Sequence, residues 1–551
     1  MRFDGKELSV MRKFVRRSAP LAGIVATVVL VAAGCVSDPT SSDDSGGDAT
    51  SALNVYLYQK PTPNFGPLAQ VAGGDYVPST LIFDSLVAWD ADNKLAPRLA
   101  EDFSISDDGK TFTFTLREGL EWSDGEPLTS RDILFTFNLV ANPAAGASVA
   151  PNFAAVEGVD ALASGSSEVA SGFSAPDDRT FVVTASEPSM GLLSLIGTTL
   201  IIPEHVLGDI PVEQVADDGY FSSPTVSSGP YEYVSYETDQ YVELTANPHY
   251  YEDVSVDTLY LRTLTQDVAT AQLGSGEIDL VQISSTDLAS VERMENVAVT
   301  SAEDPGFTRL AVNVEQPRFQ DPRVRQAMLY AIDRQGIVDT VLGGHGTVVN
   351  SPFKGEAVAD DLNPYPYDPD LARQLLQEAG WDSSRPVTLS YAPGTRDRDT
   401  TATIVQENLS AVGIDVRLSP VPPAENLARI QSADPDDFDM TLYGGGNYSD
   451  PANVIPIVSC ATKQPAGANN GRFCSEELDA VMAEANRLED ESGRTALYQE
   501  ASRIENEQVS QIWLYETEIL WAHNTRFEGF VPGGDLSRSS MWNAAQWRMA
   551  D

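Results

Sequence analysis

A short polar segment, residues 394–397, combines residue types that bind anions. It reads Gly-Thr-Arg-Asp and lies between an apolar run that predicts a strand and a periodic run that predicts a helix. Open α/β sheets receive ligands at this kind of strand end. Arg396 could bind a carboxylate through two parallel hydrogen bonds. Pairing of Arg396 with Asp397 or Asp399 on the surface is the alternative.

Motifs for covalent or metal-assisted hydrolysis do not occur in the sequence. It contains neither a Gly-x-Ser-x-Gly nor a His-Glu-x-x-His motif, which would place a serine nucleophile or a zinc-bound water. The run Gly109-Lys110-Thr111 lacks the first glycine of a phosphate-binding loop, because Ser104 stands at that position. An enzyme is therefore not predicted. An exported hydrolase that uses paired carboxylates stays an alternative, since acidic residues are too abundant for any one pair to be informative.

Histidine and cysteine, the residues typical of zinc sites, are sparse in this chain. The four histidines make no ligand pattern with the cysteine pair Cys460 and Cys474, so neither a metal nor another cofactor is predicted. The alternative is a receptor for a metal complex in which one histidine is a ligand. The histidines are His205, His249, His345 and His523.

The charge balance limits the classes of partner. The chain has 551 residues, with 35 Lys and Arg against 81 Asp and Glu, and a formal net charge of −46. Nucleic-acid binding depends on cationic side chains that neutralise phosphates, so a general phosphate-backbone binder is excluded. Hydrophobic residues make up 42% of the chain, which is enough for large cores. At about 150 residues per domain, the length predicts more than one lobe.

Residues 1–34 have the pattern of an export signal. Six basic residues lie within the first 17 positions, and no charged residue occurs from Ser18 to Gly34. The apolar stretch 21–33 is shorter than the ~20 residues that a membrane-spanning helix needs. Met1 or Met11 could be the true start, because Met11 also precedes a complete basic region.

The signal ends in Ala-Ala-Gly-Cys, which resembles the lipobox of bacterial lipoproteins. This resemblance implies that Cys35 carries a lipid and becomes the N-terminus, whereas an ordinary cleavage site is the alternative. Residues 35–51 are rich in Ser, Asp and Gly and predict a flexible tether with a reach of roughly 20 Å. The predicted location is the outer face of the cell membrane, held by the lipid anchor. With Cys35 so used, Cys460 and Cys474 are predicted to form a disulfide, and two unpaired thiols are the alternative.

Local patterns predict the elements that would position a site. Residues 103–116 alternate apolar and polar on both sides of Asp108-Gly109, which predicts a hairpin. Asp321-Pro322 precedes an apolar helical face, which predicts a capped helix. Residues 387–418 indicate a strand, a helix and a strand. This succession predicts an α/β fold with an open sheet in the C-terminal lobe.

Many short segments, in order, resemble the extracytoplasmic solute-binding proteins of ABC transporters, family 5, which is the oligopeptide, dipeptide and nickel group. No single segment is specific, but together they cover residues 81–381, with weaker similarity to the C-terminus. They are residues 81–86, 95–100, 107–117, 122–129, 202–205, 228–231, 247–250, 275–279, 321–334, 367–369 and 375–381.

This resemblance implies a fold as well as a function. The expected fold is α/β and like the class II periplasmic binding proteins, with two lobes joined by a hinge and an extra inserted domain. The hinge crossings are expected near residues 305–314 and 521–526. The expected limits are 52–86 plus 197–305 plus 524–551 for domain I, 87–196 for domain II, and 306–523 for domain III.

The resemblance also directs attention to candidate ligand-binding residues. In peptide-binding relatives the loop that corresponds to residues 443–451 carries a carboxylate for the peptide's ammonium, and here the matching residue is the neutral Asn447. Its glycines allow close approach of backbone to a ligand, although a flexible loop is the alternative. Asp450 could bind a solute or start the turn before Pro451, and core packing is the alternative for Trp513. The full set is Tyr58, Gln59, Arg396, Gly445, Gly446, Asn447, Tyr448, Asp450 and Trp513.

The resulting hypothesis is a monomeric, lipid-anchored receptor that passes a small organic solute to the permease subunits of an ABC importer. A short peptide is the expected solute. Receptors for an oligosaccharide or another neutral solute, or for a ligand that also triggers a signal, are the alternatives that the sequence leaves open.

Overall fold

The computed structural model describes residues 51–550, apart from residues 69–72, 93, 148, 190, 394–395, 447, 449, 466, 489 and 534–539. The chain divides into a unit of residues 1–49 and a unit of residues 50–551, and every described residue belongs to the second. The predicted signal and Cys35 lie outside the described residues, as does Asn447.

The helices and strands alternate along most of the chain. The strands are β1 (Ala52–Leu57), β2 (Val87–Trp89), β3 (Leu95–Pro97), β4 (Ala100–Ile105), β5 (Thr111–Leu116), β6 (Phe173–Asp177), β7 (Thr180–Thr184), β8 (Tyr231–Glu237), β9 (Tyr241–Ala246), β10 (Thr258–Thr263), β11 (Leu280–Ile283), β12 (Val297–Glu303), β13 (Thr308–Val312), β14 (Gly346–Val348), β15 (Val387–Tyr391), β16 (Val416–Pro420), β17 (Met440–Tyr443), β18 (Ile512–Asn524), β19 (Phe527–Glu528) and β20 (Arg548–Met549). The α-helices are α1 (Gly73–Ile82), α2 (Ser130–Val140), α3 (Val159–Ala163), α4 (Leu192–Gly197), α5 (Glu204–Leu207), α6 (Val212–Val215), α7 (Gln266–Ser275), α8 (Ser285–Val291), α9 (Pro322–Ala331), α10 (Arg334–Thr340), α11 (Pro369–Glu378), α12 (Arg396–Ala411), α13 (Pro423–Ile430), α14 (Ile455–Val458), α15 (Glu476–Arg487) and α16 (Glu491–Gln508).

Three local predictions are confirmed, each where neighbouring residues determine the backbone. Residues 103–116 contain the predicted hairpin, since β4 pairs antiparallel with β5 and Gly109 has a φ of 64°. Asp321 accepts a hydrogen bond from the backbone N–H of Arg323 and so caps α9. The predicted strand, helix and strand are β15, α12 and β16, and the two strands are parallel.

One sheet of 12 strands runs through both lobes of the described chain. Its main order is β16-β15-β17-β13-β18-β11-β1-β10-β9-β8, and β12 and β14 also pair with β18. In the N-terminal lobe β1 is parallel to β10 and β11, and in the C-terminal lobe β15 is parallel to β17. The carboxyl ends of β1, β10 and β11 therefore share one sheet edge, and those of β15 and β17 share another.

The two lobes are joined by β18 and by the segment 304–307. The first part of β18 pairs with β13 and β14, and its last part pairs with β11 and β12. The pairing changes lobes at residues 515–518, just before the predicted crossing at 521–526. Separate clusters of buried apolar residues fill each lobe. The domain limits given above remain predictions.

A smaller sheet lies within the segment that is predicted as the inserted domain. Its order is β4-β5-β7-β6. The helix α2 packs on this sheet, and its Phe137 ring stacks on Phe181 of β7 at 5.0 Å. Thr129 and Asp132 form a capping box that starts α2. The insertion therefore has its own layer of helix on sheet.

The C-terminal lobe also contains a disulfide. Cys460 and Cys474 are bonded across a sequence separation of 14 residues. The neighbouring Val458 and Phe473 belong to the same buried apolar cluster as Trp513. Across the described residues, no helix has the length and apolarity needed to cross a bilayer.

Candidate functional site

Two sheet edges carry most of the candidate residues. Tyr58 and Gln59 follow the carboxyl end of β1, and the starts of α7 and α8 follow the carboxyl ends of β10 and β11. In the other lobe α12 follows β15, and the segment 443–446, here called the glycine-rich loop, ends β17. Open α/β sheets receive ligands at such edges. Side chains from the two edges meet, so the edges face each other across the cleft between the lobes.

A cavity of about 500 Å³ lies where the two edges meet. Its walls come from the start of α7 in the N-terminal lobe and from α12 in the C-terminal lobe. Polar and charged side chains make up the lining, which suits a polar solute group better than an apolar one. The lining residues are Thr265, Gln266, Asp267, Arg396, Asp399, Thr400 and Thr403.

Arg396 connects the lobes across this cavity. One guanidinium nitrogen, Nη2, lies 2.9 Å from Asp267 Oδ1, and Nη1 lies 2.8 Å from Thr286 Oγ1 and 3.3 Å from Asp287 Oδ1. The ion pairs of this arginine are therefore with aspartates of the other lobe and not with Asp397 or Asp399 of its own helix. The side chain is 47% exposed, so solvent weakens each ion pair.

A second contact between the lobes lies next to Arg396. Ser284 of the N-terminal lobe lies with its Oγ 3.1 Å from Asp397 Oδ1. Burial raises the pKa of the Asp397 carboxyl, although the hydrogen bond from Ser284 opposes this effect. In the described structure the lobes are thus joined at this edge by the hydroxyls of Ser284 and Thr286 and by the Arg396 ion pairs.

Tyr58 and Gln59 lie on the facing edge. The Tyr58 side chain is half-buried and packs against the N-terminal core, whereas Gln59 is exposed. The Gln59 carbonyl oxygen lies so close to the start of α1 that a Cβ on Gly74 would come within 2.5 Å of it. This close approach restricts the backbone of the loop, and the Gln59 side chain beside it is exposed.

The glycine-rich loop is packed tightly against the first connection between the lobes. Gly445 and Gly446 have φ values of 93° and 103°, which favour glycine. A Cβ on Gly306 would lie 2.7 Å from the backbone carbon of Gly445. The Tyr448 ring is buried and stacks on Phe307, with ring centroids 5.3 Å apart. The loop is therefore held by backbone contacts and one aromatic stack.

Two other predicted residues have structural contacts in the described chain. Asp450 accepts a hydrogen bond of 2.9 Å from the backbone N–H of Ala452 and caps the short helix that starts at Pro451. Trp513 is 2% exposed, and its indole N–H donates to Glu505 Oε1 at 2.8 Å. In the structure, Asp450 thus starts the turn before Pro451 and Trp513 packs in the core. These are the alternatives to ligand binding that the sequence left open for the two residues.

Glu505 is the acid that holds Trp513 in place. Its Oε1 also accepts hydrogen bonds from the backbone N–H and the hydroxyl of Ser510. Its Oε2 has no partner among the described residues. Burial raises the pKa of this carboxyl to about 7. The acid therefore holds the Trp513 indole and the backbone at Ser510 in place.

Arg309 is a residue that the sequence reasoning missed. It is 2% exposed on β13, and its Nη1 lies 3.5 Å from the Gly445 carbonyl oxygen. Its guanidinium carbon lies 5.2–5.8 Å from the ring centroids of Tyr443, Tyr448 and Trp513. A signal was present, because a basic residue directly precedes the apolar run from residue 310 to residue 312.

The histidines have other partners in the described chain. His205, His249 and His345 lie 2.7–3.0 Å from the carboxylates of Asp124, Glu121 and Glu518, in that order. His523 packs against Phe527 and Phe530. Over the described residues, no group of three or more His, Cys, Asp or Glu side chains could hold a metal ion.

Two lobes around a polar cleft define a solute-binding protein. The family model for bacterial extracellular solute-binding proteins, family 5 (Middle), matches residues 94–465. A Brucella ovis protein named as an ABC transporter peptide-binding protein is 32% identical over 85% of this chain and 87% of its own length. The chain belongs to family 5 of the bacterial extracellular solute-binding proteins.

More distant relatives agree in fold. The oligopeptide-binding protein AppA of Bacillus subtilis is 25% identical over 84% of this chain and 86% of its own length. The structure of AppA in complex with a nonapeptide superposes with a TM-score of 0.79 over 91% of this chain and all of AppA, at 21% identity. The predicted α/β fold of the class II periplasmic binding proteins is confirmed.

Proposed function

We propose that this protein binds a short peptide in the cleft between its lobes and delivers it to the permease of an ABC importer. The observation that carries the proposal is the meeting of the two sheet edges, where Arg396 contacts Asp267 and Thr286 of the other lobe. A solute bound at these edges would touch both lobes at once. The Brucella and Bacillus relatives are named as peptide-binding proteins, and these names support a peptide as the solute.

Binding in such a cleft needs no covalent chemistry. The free energy would come from hydrogen bonds and apolar contacts that lose water when the lobes close. Segment 304–307 and β18 are the described connections about which the lobes would turn, and hinge closure of this kind is common in binding proteins. The solute favours the closed form because that form offers contacts from both lobes.

The candidate residues divide between direct contact and support. Tyr58, Gln59, Gly445 and Gly446 lie on the facing edges and are proposed to contact the solute, together with Asn447. Supporting roles suit Tyr448, Asp450 and Trp513, whose side chains are engaged within the C-terminal lobe. To pair with Arg396, a solute carboxylate would have to displace an aspartate of the N-terminal lobe from the guanidinium group.

Membrane attachment is the second part of the proposal. Cys35, lipidated after removal of residues 1–34, would hold the receptor at the outer face of the membrane beside the permease. The tether of residues 35–51 would let the cleft reach the permease. Replacing Cys35 by serine should release the protein into the medium and abolish labelling by a radioactive fatty acid. Retention of Cys35→Ser in the membrane fraction would contradict the anchor.

The test of the solute class uses the purified mature protein. Isothermal titration with defined di- to nonapeptides should show saturable binding, and mass spectrometry should find peptides that co-purify with the protein. Oligosaccharides of similar size are the comparison ligands. The proposal is wrong if no peptide binds while an oligosaccharide does, or if the protein turns over an ester, glycoside or peptide substrate.

Asn447 gives a sharper test of how the peptide is oriented. The Asn447→Asp variant adds a carboxylate to the glycine-rich segment, and charge-assisted hydrogen bonds are about twice as strong as neutral ones. A peptide whose ammonium lies there should bind as tightly or more tightly to the variant. Loss of affinity would indicate that a neutral or anionic group of the solute lies at this position.

A further inference from the structure

Arg309 differs from the other buried arginines in how few acceptors surround it. Arg98 and Arg472 each pair with an acid. Arg325 donates to four backbone carbonyls, and Arg334 donates to five oxygens. For Arg309 the described contacts are Gln511 Oε1 at 2.9 Å and the Gly445 carbonyl oxygen at 3.5 Å.

This shortage of acceptors matters because a guanidinium carries five N–H donors and a full positive charge. A charge removed from water is costly unless it is paired or hydrogen-bonded. Among the described residues no carboxylate lies within ion-pair distance of Arg309, although acids outnumber Lys and Arg by 81 to 35 in the chain. The three aromatic rings around it offset part of the charge through cation–π contacts.

The position of Arg309 links it to the cleft. It lies near the start of β13, beside the end of β17, at the sheet edge that faces the N-terminal lobe. The glycine-rich loop covers it with Gly445 backbone, and Tyr443 and Gly446 of that loop are exposed. Three consecutive glycines place no side chain larger than hydrogen between the guanidinium and the outer face of the loop.

We infer that Arg309 and the glycine-rich loop form an anion site, which takes a carboxylate group of the solute. This inference rests on the proposed function and specifies the charge of the solute at one end of the cleft. Arg396 is a weaker candidate for that role, because Asp267 and Asp287 already balance its charge. Arg309 has no such counter-charge in the described chain. A solute carboxylate would supply the missing acceptor.

The first experiment uses carboxylate anions alone, so that it does not depend on the identity of the peptide. The melting temperature of the mature protein is measured in succinate and in sodium chloride at equal ionic strength. Succinate should raise the melting temperature of the wild type relative to chloride, and the rise should disappear in Arg309→Gln. Arg503→Gln is the matched control and should keep the rise, because Arg503 pairs with Asp361 and neither residue lines the cavity. An equal effect of succinate on the wild type and Arg309→Gln would overturn the inference.

The second experiment uses peptides. Trialanine, trialanine amide and N-succinyl-trialanine amide differ in the number and position of carboxylates. Wild type should bind at least one of the two carboxylate-bearing probes tenfold or more tightly than trialanine amide, on the order of the strength of a charge-assisted hydrogen bond. Arg309→Lys should keep part of this preference, and Arg309→Gln should lose it.

The outcomes separate this inference from the proposed function. If the peptides bind but Arg309→Gln keeps the full preference for a carboxylate, the receptor function stands and the anion site is wrong. If no peptide binds but the succinate effect depends on Arg309, the anion site stands and the peptide assignment is wrong. If Arg309→Gln does not fold, the wild type alone still tests the inference. Equal affinity of the wild type for all three peptide probes would then contradict it.

Discussion

The Arg396 cavity and the glycine-rich loop follow neighbouring parallel strands, yet different kinds of contact hold them. Arg396 lies on the surface and reaches the other lobe through ion pairs that water can replace. The glycine-rich loop lies with its backbone in close contact with Gly306 of the connecting segment, and the buried Tyr448 ring just beyond the loop stacks on Phe307. One part of the sheet edge thus depends on exposed ion pairs between the lobes, and the other depends on close backbone contact and a buried ring stack.

The disulfide of the C-terminal lobe is expected to matter most for stability. Replacing both Cys460 and Cys474 by serine should lower the free energy of unfolding by about 3 kcal/mol, the value expected for a closed loop of about 15 residues. The measurement is urea-induced unfolding followed by tryptophan fluorescence. Wild type with its disulfide reduced is the control. An unchanged unfolding midpoint in the double variant would show that this side of the lobe does not depend on the disulfide.

Glu505 should make the same region sensitive to pH. Because burial raises its pKa from 4.5 to about 7, the folded protein holds this proton more tightly than the unfolded chain does. Its contribution to stability is therefore fully present below pH 4.5 and is lost as the pH rises to 7, by on the order of 2–3 kcal/mol.

The Glu505→Gln variant tests this dependence. Glutamine keeps an oxygen for the donors on Ser510 and Trp513 but cannot ionise. The difference in unfolding free energy between the variant and the wild type should change in favour of the variant between pH 4.5 and pH 7. A constant difference over this range would mean that Glu505 does not titrate there.

Gly306 tests the close contact between the hinge segment and the loop. A Cβ at this position would lie 2.7 Å from Gly445 backbone, so Gly306→Ala should force the loop to shift and should cost about 1–3 kcal/mol. Gly444→Ala is the matched control, because its Cβ would come no closer than 3.4 Å to Thr308 Oγ1. Calorimetric melting compares the two variants. Equal losses in both would show that the loop adapts freely.

The smallest effect is expected at the Arg396 edge. In a double-mutant cycle of Arg396→Gln and Asp267→Asn, the coupling energy should stay below about 1 kcal/mol and should fall as salt is raised. When the same double-mutant cycle is measured by peptide titration, the coupling energy for binding reports whether the Arg396–Asp267 pair opposes closure of the lobes on a solute. A coupling of several kcal/mol that is insensitive to salt would make this edge as rigid as the glycine-rich loop.

Local elements could be predicted from the sequence, because nearby residues determine them. The turn at Asp108-Gly109 and the cap at Asp321 need only a few neighbouring residues, and the structure has both. The two-lobe fold was predicted from many short sequence segments, which occur in the order typical of the solute-binding family. No such local signal exists for the partners of Arg396, since Asp267 and Asp287 lie more than a hundred residues away in sequence.

The site was harder to predict for a related reason. Alternation along β18 separates two faces of the strand, but it does not say which face packs in the core. In the structure Trp513 lies in the core, where Glu505 accepts a hydrogen bond from its indole N–H. Arg309 was missed because its environment is made by Gly445 and Gln511, which come from other strands and loops. Whether Asn447 contacts the solute stays a prediction, as it lies outside the described residues.

The place of β18 in the sheet has a consequence for biogenesis. This strand ends at Asn524 and yet lies between β13 and β11, so that it completes the sheet of both lobes. Contacts of such large sequence separation form late in folding. Until β18 has joined the sheet, β11 and β13 therefore each have an unpaired edge, which is prone to aggregate. The sheet of both lobes can therefore be completed only after the chain has been made as far as Asn524.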